Sequence, residues 1–365
     1  REARRAYDLD QIEVVPSRRT RSSKEVSTEW QLDAYQFGIP LMTHPTDAVV
    51  SPASAIAIGR LGGLAVLNAE GLWARHADAD AAVARVREAA ESGATPTAAI
   101  RMLQDLHALP IDEGLLGEAL KRVRDAGITV AARVSPQRAR ELTPTLLAAG
   151  VEILVVQGTI ISAEHVSHGE PLNLKEFINS LDVPVVAGGC GDYLTAMHLM
   201  RTGAAGVIVG YGQSVATTTD DVLGIGVPMA TAIVDAAAAR RDYLDETGGR
   251  YVHVIADGGM GGSGDLAKAI ACGADAVMLG EQLAEATEAP GRGLYWTSSA
   301  AHPNLPRSDI VEVGQGERSL EQVLFGPSDD PYGTLNLFGA LRRALAKTGY
   351  SDLKEFQRVG LTVRG

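Results

Sequence analysis

Residues 255–291 read IADGGMGGSGDLAKAIACGADAVMLGEQLAEATEAPG and contain two apolar runs separated by a helix-like segment. The first run leads into Gly258 and Gly259, and the helix-like segment stops at Gly273. Glycine just past a helix end adopts the left-handed conformation that terminates the helix. The next run, ADAVMLG, is apolar on both faces, as in a parallel strand covered on both sides. These residues therefore predict a strand–helix–strand unit of a parallel sheet.

The same pattern, in which a glycine ends a helix and an apolar run follows, recurs along the chain. Eight strands with interleaved helices over roughly 250 residues fit a single-domain (β/α)₈ TIM barrel, an α/β fold. A doubly wound sheet is the alternative, but its first strand normally leads into a glycine-rich phosphate-binding turn, and here Pro45-Thr46-Asp47 follows. The predicted strands are 39–44, 64–68, 128–133, 152–157, 183–188, 206–210, 251–257 and 275–280.

Four segments are expected. Residues 1–38 form an N-terminal arm with a basic stretch, and residues 39–290 form the barrel. Residues 291–333 are rich in Pro, Gly, Ser and Asp, which predicts a long loop on the active face with a short strand at DIVEVGQG. Residues 334–365 carry an amphipathic C-terminal helix that closes the barrel. Ser135-Pro136 predicts the start of the helix after the third strand.

Composition excludes several classes of protein. The chain has 365 residues, of which 45% are hydrophobic and 21% charged, the balance of a soluble globular protein. A net charge of −12 and an aromatic content of 5% argue against a nucleic-acid partner. No apolar run is long enough for a membrane span, and the charged N-terminal residues do not form a secretory signal. Two cysteines cannot build a disulfide scaffold, so we expect a cytoplasmic protein.

The barrel prediction also indicates where a ligand binds. Barrel enzymes act at the carboxyl ends of their strands, and the loops after strands seven and eight commonly bind phosphate through backbone N–H groups. Here those loops begin at Asp257-Gly258-Gly259 and at Gly280-Glu281. Glycines at these places let a ligand approach the backbone closely. We therefore expect a phosphorylated small-molecule ligand.

The same residues resemble a known family. Residues 255–291 are similar over their whole length to the IMP dehydrogenase/GMP reductase family, and GYGQSVATTTDDVLGIGVPMATAI (210–233) resembles that family's catalytic loop and following helix. YDLDQIEVVPSRRT and IPLMTHPTDAVVSPASAIAIGRLGGLAVL (39–67) resemble its N-terminal portion. The resemblance implies a barrel without CBS domains, a homotetramer or octamer, NAD as cofactor, and oxidation of IMP to XMP in GMP biosynthesis.

Several positions of the resemblance suggest substrate contacts. Asp257 matches a ribose-contacting aspartate, and the glycines at 258, 259 and 280 match backbone contacts to the phosphate. Glu281 stands where the family has a phosphate-binding serine. Gln315 and Gly316 match a Gln-Gly pair that contacts the purine base.

Other positions depart from the family where its chemistry takes place. The family's catalytic cysteine attacks C2 of the purine, and Thr217 stands at that position, next to Thr218. A threonine hydroxyl needs an adjacent base to act as a nucleophile, whereas a thiol ionises near neutral pH. Cys190, after the Gly-Gly pair of the fifth strand, is a candidate for a relocated nucleophile or a packing residue. Gln157 replaces the aspartate that contacts the cofactor ribose.

Two function hypotheses follow. One is an oxidoreductase of the IMP dehydrogenase/GMP reductase type, and the alternative is a non-catalytic homologue that binds a purine nucleotide or another phosphorylated metabolite. A flavin-dependent barrel is a third, weaker alternative, because residues 210–233 match the first family. His165 and His168 have i,i+3 spacing, but without companion ligands they do not predict a metal site.

Overall fold

The computed structural model describes residues 3–93, 95, 97–163, 165 and 170–364. Its central element is an eight-stranded parallel sheet in which strands adjacent in sequence are also neighbours in space. The last strand pairs with the first, and a bridge between Met42 and Leu64 completes the cylinder. The (β/α)₈ barrel is therefore confirmed, and the doubly wound sheet is excluded. The strands are β1 (Leu41–Thr43), β2 (Val66–Asn68), β3 (Ala131–Val134), β4 (Ile153–Gln157), β5 (Val185–Cys190), β6 (Gly206–Gln213), β7 (His253–Gly258) and β8 (Ala276–Leu279).

The eight predicted strands all overlap the barrel strands, because the local pattern that predicts them has a local cause. The glycines that precede five of the strands adopt positive φ, at Gly62 (94°), Gly127 (77°), Gly150 (94°), Gly203 (100°) and Gly273 (120°). Each ends a helix and turns the chain directly into a buried strand. All residues of β1, β2, β4, β5 and β8 are buried, as expected for strands covered by helices on one face and by the barrel core on the other.

Helices surround the sheet, and the described residues between β2 and β3 contain three of them. One start signal is wrong. The helix after β3 begins at Ala139 rather than at Ser135-Pro136, because the N–H and hydroxyl of Ser135 both donate to Glu70 instead of capping a helix. The α-helices are Pro52–Arg60, Ala79–Glu91, Ala98–His107, Glu113–Asp125, Ala139–Ala148, Leu174–Asn179, Tyr193–Arg201, Thr219–Leu223, Met229–Thr247, Ser263–Ala271, Leu320–Phe325, Leu337–Thr348 and Leu353–Phe356. Over the described residues, no helix combines the length and apolar character that crossing a membrane requires.

The segments outside the barrel pack against it. In the N-terminal arm, Ile12–Val15 pairs antiparallel with Gly360–Val363. The loop after β8 contains a two-stranded ladder of Leu294–Tyr295 with Val311–Glu312. Of these two strands, Val311–Glu312 lies within the predicted short strand DIVEVGQG. The C-terminal helix Leu337–Thr348 packs against the helix that follows β7.

The amino-terminal end of the barrel is covered. A hairpin of Trp30–Leu32 and Tyr35–Phe37 packs there, with the Trp30 ring against His253 at the start of β7. Nearby, Asp275 accepts hydrogen bonds from Arg240 (2.7 Å), Tyr251 (2.7 Å) and Lys354 (2.6 Å). Burial favours the neutral form of Asp275, but Arg240 and Lys354 outweigh burial and lower its pKa to about 2. This network joins two helices and the segment before β7 to the start of β8, and it leaves the opposite end of the barrel for a ligand.

Candidate active site

Three side chains from three separate strands meet at the carboxyl end of the barrel. His44 directly follows β1, Gln157 ends β4 and Asp257 lies near the end of β7. Nδ1 of His44 lies 3.1 Å from Oδ1 and 3.0 Å from Oδ2 of Asp257, and Nε2 of Gln157 donates to Oδ2 at 2.9 Å. Asp257 is only 2% exposed. The structure thus brings together two residues predicted from the sequence, Asp257 and Gln157, and adds His44, which the sequence reasoning missed.

The Asp257 carboxylate determines which nitrogen of His44 carries the proton. An ionised carboxylate only accepts hydrogen bonds, so the imidazole must present Nδ1–H to it. In the neutral ring, Nε2 is then an acceptor. Nε2 has no hydrogen-bond partner among the described residues, and the His44 side chain lines a cavity. The pair has the geometry of a histidine base oriented by an aspartate.

That cavity has a volume of about 710 Å³ and lies over β1 to β4. The loops after these strands form one wall, and Tyr211, Thr217 and the loop of residues 297–307 form the other. Its lining is rich in cations: Arg75, Arg133, Arg138 and Arg307, with Glu70 as the only carboxylate among the described lining residues. The cavity is therefore strongly basic in a chain whose net charge is −12.

The crevice at β7 and β8, where the sequence predicts a phosphate, is nearly filled. The free volume of this crevice is about 10 Å³. Tyr295 from the loop after β8 packs over Gly280 so closely that a Cβ there would lie 2.8 Å from its Cζ. The backbone N–H of Gly259 donates to the Gln213 carbonyl (2.8 Å), and that of Gly280 donates to Oε1 of Gln282 (3.2 Å). Protein acceptors thus take two of the N–H groups that the resemblance assigns to a phosphate.

Glu281 also turns toward the protein. Its Oε2 accepts a hydrogen bond from the N–H of Val215, in the loop after β6, at 2.8 Å. Burial raises the pKa of Glu281, and the hydrogen bond from Val215 partly offsets that rise. Gly258, the remaining predicted phosphate contact, pairs with Gln213 of β6. The β7–β8 crevice offers an anion little room and a carboxylate at its edge.

The predicted nucleophile positions offer no reactive group. Oγ1 of Thr217 donates to the Gly212 carbonyl at 2.8 Å and lies 3.0 Å from Oγ of Ser214, so its neighbours include no base. Thr218 precedes the helix that begins at Thr219, and its N–H donates to the Arg307 carbonyl. Cys190 is only 1% exposed, and burial, followed by the nearby Asp192, raises its pKa to about 12. Its thiol is protonated at neutral pH.

Other candidates lie away from the cavity. Gln315 is exposed and donates to Glu312 at 2.7 Å, and neither it nor Gly316 lines the cavity. His165 is exposed, and His168 lies outside the described residues. Over the described part of the chain, no group of three His, Cys, Asp or Glu side chains is arranged to hold a metal ion.

Comparison with known proteins agrees with the barrel fold. A sequence model described as "IMP dehydrogenase / GMP reductase domain" matches residues 6–302. The chain belongs to the IMP dehydrogenase/GMP reductase family. A crystal structure of an IMP dehydrogenase/GMP reductase-like protein from Corynebacterium glutamicum superimposes with a TM-score of 0.95 at 60% identity, covering 100% of this chain and 95% of that one.

Members of this family differ widely in their similarity to the chain. An uncharacterized oxidoreductase of Mycolicibacterium smegmatis is 68% identical, with 100% of this chain and 98% of that protein covered. One of Mycobacterium tuberculosis is 66% identical at the same coverage. The inosine-5′-monophosphate dehydrogenase of Aquifex aeolicus is 32% identical, over 60% of this chain and 46% of that protein.

Proposed function

We propose that this chain is an oxidoreductase in which His44 transfers a proton while a bound nicotinamide dinucleotide exchanges the hydride. The observation that carries the proposal is the contact of 3.0 Å between His44 and Asp257 at the edge of the basic cavity. Membership of the IMP dehydrogenase/GMP reductase family supports the reaction class. The similar mycobacterial proteins are themselves named oxidoreductases.

The cavity fits such a dinucleotide in size and in donors. Its volume of about 710 Å³ lies within the range of roughly 300–1,000 Å³ for small-molecule sites. Nε of Arg307 is buried without a partner among the described residues, and the same guanidinium donates to Thr159 Oγ1 at 3.3 Å. Arg307, Thr159 and the hydroxyl of Ser299 would hold the diphosphate. When bound, the dinucleotide supplies the hydride acceptor or donor.

In the oxidative direction, the substrate is an alcohol whose carbon loses a hydride. Its hydroxyl proton passes to Nε2 of His44, which leaves a carbonyl product and an imidazolium. Asp257 holds the ring so that Nε2 is the acceptor, and its negative charge stabilises the imidazolium that forms. Gln157 fixes the carboxylate through the bond of 2.9 Å. In the reductive direction, the same imidazolium returns the proton to the carbonyl oxygen.

The resemblance implies oxidation of IMP to XMP, but the site favours a different substrate. That reaction needs a thiolate, and the two cysteines of this chain, Cys190 and Cys272, are buried with pKa values raised to about 12. Tyr295 packs over the crevice where the nucleotide phosphate would bind. We therefore propose turnover of an alcohol or carbonyl that does not require a covalent purine adduct.

The test is absorbance of NADH and NADPH at 340 nm with a panel of alcohols and carbonyls, phosphorylated and not, that includes IMP and GMP. We expect His44→Gln to lower the rate by about 10²–10⁴, the usual contribution of a general base. The matched control is His198→Gln, at an exposed position that does not line the cavity, and it should keep the wild-type rate. Thr217→Ala tests the family's nucleophile position. Oxidation of IMP that depends on Thr217 and not on His44 would contradict the proposal.

The second candidate function is the non-catalytic binding homologue. The absence of an accessible thiol, set against a large cavity, is the observation that favours it. Nucleotide binding in calorimetry without turnover of any panel member would support this candidate. In either case we propose a homo-oligomer, a tetramer or octamer, which sedimentation velocity would measure directly.

A further inference from the structure

We propose that three arginines in the cavity, Arg75, Arg133 and Arg138, bind the phosphate of a phosphorylated substrate. The group is called the arginine cluster below. It lies on β3 and on the loops after β2 and β3, away from the β7–β8 crevice. The assignment deepens the proposed function and rests on it in one respect, since it takes His44 as the group at the reacting end of the substrate.

Two arginines of the cluster, Arg75 and Arg133, contact Glu70. Nε of Arg75 donates to the Glu70 carbonyl at 3.1 Å, and the Glu70 carboxylate lies 3.5 Å from NH1 of Arg133. Arg133 also donates to the Gln157 carbonyl (2.9 Å) and to Oδ1 of Asn68 (3.1 Å). These bonds fix the planes of two guanidinium groups before any ligand arrives. A site with preset donors loses little entropy on binding.

The positive charge of the arginine cluster exceeds the negative charge of Glu70, the one carboxylate among the described residues that line the cavity. Arg75 hydrogen-bonds to carbonyl oxygens and makes no ion pair with a carboxylate of the described residues. Burial and then repulsion from Arg138 lower the pKa of Arg75, and the attraction of Glu70 and Asp47 does not reverse this. Glu70 already accepts two hydrogen bonds from Ser135. An anion in the cavity would relieve the repulsion between Arg75 and Arg138.

A phosphate monoester suits these donors better than a single carboxylate. It carries close to two negative charges near neutral pH and three acceptor oxygens. Guanidinium groups bind phosphate oxygens in paired, charge-assisted hydrogen bonds. Arg138 can reorient toward such a ligand because its present partner, Glu141, is 58% exposed and lies on the surface.

The arginine cluster is connected to the acid–base group. Arg133 donates to the main-chain carbonyl of Gln157, and the side-chain amide of Gln157 donates to Asp257, which contacts His44. Gln157 therefore links the arginine cluster to the acid–base pair. All of these residues except Asp257 line the same cavity. A small phosphorylated molecule can therefore place its phosphate at the arginine cluster and its reacting carbon near His44. The β7–β8 crevice has about 10 Å³ of free space, which is too little for a phosphate group.

The experiment is calorimetric titration of the full chain with inorganic phosphate at pH 8 and low salt. We expect Arg138→Met to weaken phosphate binding about tenfold or more, since it removes a charge-assisted hydrogen bond. The matched control is Arg140→Met, which removes the same charge two residues further along the chain, in the first turn of the helix Ala139–Ala148. Arg140 is 52% exposed, faces Glu170 and does not line the cavity, so this variant should bind phosphate like the wild type. Equal affinity of the wild type and Arg138→Met would overturn the assignment.

A second arm separates the substrate phosphate from the diphosphate of a cofactor. We expect phosphate and NAD to bind without competition, and NAD affinity to survive Arg138→Met. Competition, with both affinities lowered by Arg138→Met, would overturn the proposal by assigning the arginine cluster to the cofactor. His44→Gln should bind phosphate normally. Phosphate binding that depends on Arg138 in a protein without turnover would refute the proposed function and still support this site.

Discussion

The substitution Asp257→Asn tests the arrangement on which the proposed chemistry depends. Gln157 donates to Oδ2 of Asp257 at 2.9 Å, so the carboxamide oxygen of the new asparagine should occupy that position. Its NH₂ group then takes the place of Oδ1, which lies 3.1 Å from Nδ1 of His44. The new N–H group favours the form of His44 with its proton on Nε2, whereas the carboxamide oxygen, at the Oδ2 position 3.0 Å from Nδ1, still accepts from the Nδ1–H form. The substitution thus makes available a form of His44 that has no Nε2 lone pair to accept the substrate proton.

The change in the position of the His44 proton can be estimated from the strength of the hydrogen bonds at Nδ1 in the wild type and in the variant. A hydrogen bond to a charged group contributes about 1.5–3 kcal/mol net, so the wild-type ring should favour the Nδ1–H form by roughly ten- to 150-fold. In Asp257→Asn, a neutral hydrogen bond of about 0.5–1.5 kcal/mol supports each of the two forms. The strong preference for the Nδ1–H form should therefore fall to a mixture of the two forms.

The assay is a long-range ¹H–¹⁵N correlation spectrum of protein labelled on histidine, recorded at pH 8. His44→Gln identifies the His44 signals among the eight histidines. His107 is an internal control, because its Nδ1 lies 2.9 Å from the Leu103 carbonyl and its spectrum should not change. A wild-type His44 with its proton on Nε2, or an unchanged ring in Asp257→Asn, would refute the reasoning.

Three further predictions follow from packing and charge. Gly280→Ala should destabilise the fold by about 1–3 kcal/mol in urea unfolding, because its Cβ would overlap Tyr295, whereas Gly264→Ala, with no atom within 4 Å, should not. Neither Cys190 nor Cys272 should react with a thiol reagent in the native protein at pH 8, since both are buried with pKa values of about 12, and both should react in urea. The Asp275 carboxylate, whose pKa falls from 3.8 to about 2 on folding, should add about 2–3 kcal/mol of stability that is present above about pH 4 and lost as the pH falls toward 2. Asp275→Asn should flatten that part of the stability curve, and an unchanged pH dependence would contradict the assignment.

The barrel could be predicted because its signals are local. A glycine at a helix end and the β-branched run that follows lie within ten residues of each other, and both conformations follow from short-range sterics. The Ser135-Pro136 signal failed for a non-local reason. Ser135 donates to Glu70, which precedes it by 65 residues, and such a partner is invisible in a single sequence.

The site was only partly predictable for the same reason. Asp257 can be predicted as a candidate because it follows an apolar run in a glycine-rich motif and matches a position of the resembling family. His44 lies 213 residues before its partner, and only closure of β1 against β8 brings it near β7. The arginine cluster is spread over residues 75–138 and gives no motif. Tyr295 closes the β7–β8 crevice through a loop whose course depends on tertiary packing.

The packing of Tyr295 over Gly280 affects which chemical probes can distinguish this protein from its relatives. Nucleotide analogues anchored by a phosphate at the seventh and eighth strands would meet a phenol ring here, and cysteine-directed electrophiles would find a hydroxyl at position 217. Compounds of both kinds should spare this protein. A selective inhibitor would instead carry an anionic group and bind in the arginine-lined cavity on the opposite side of the barrel mouth.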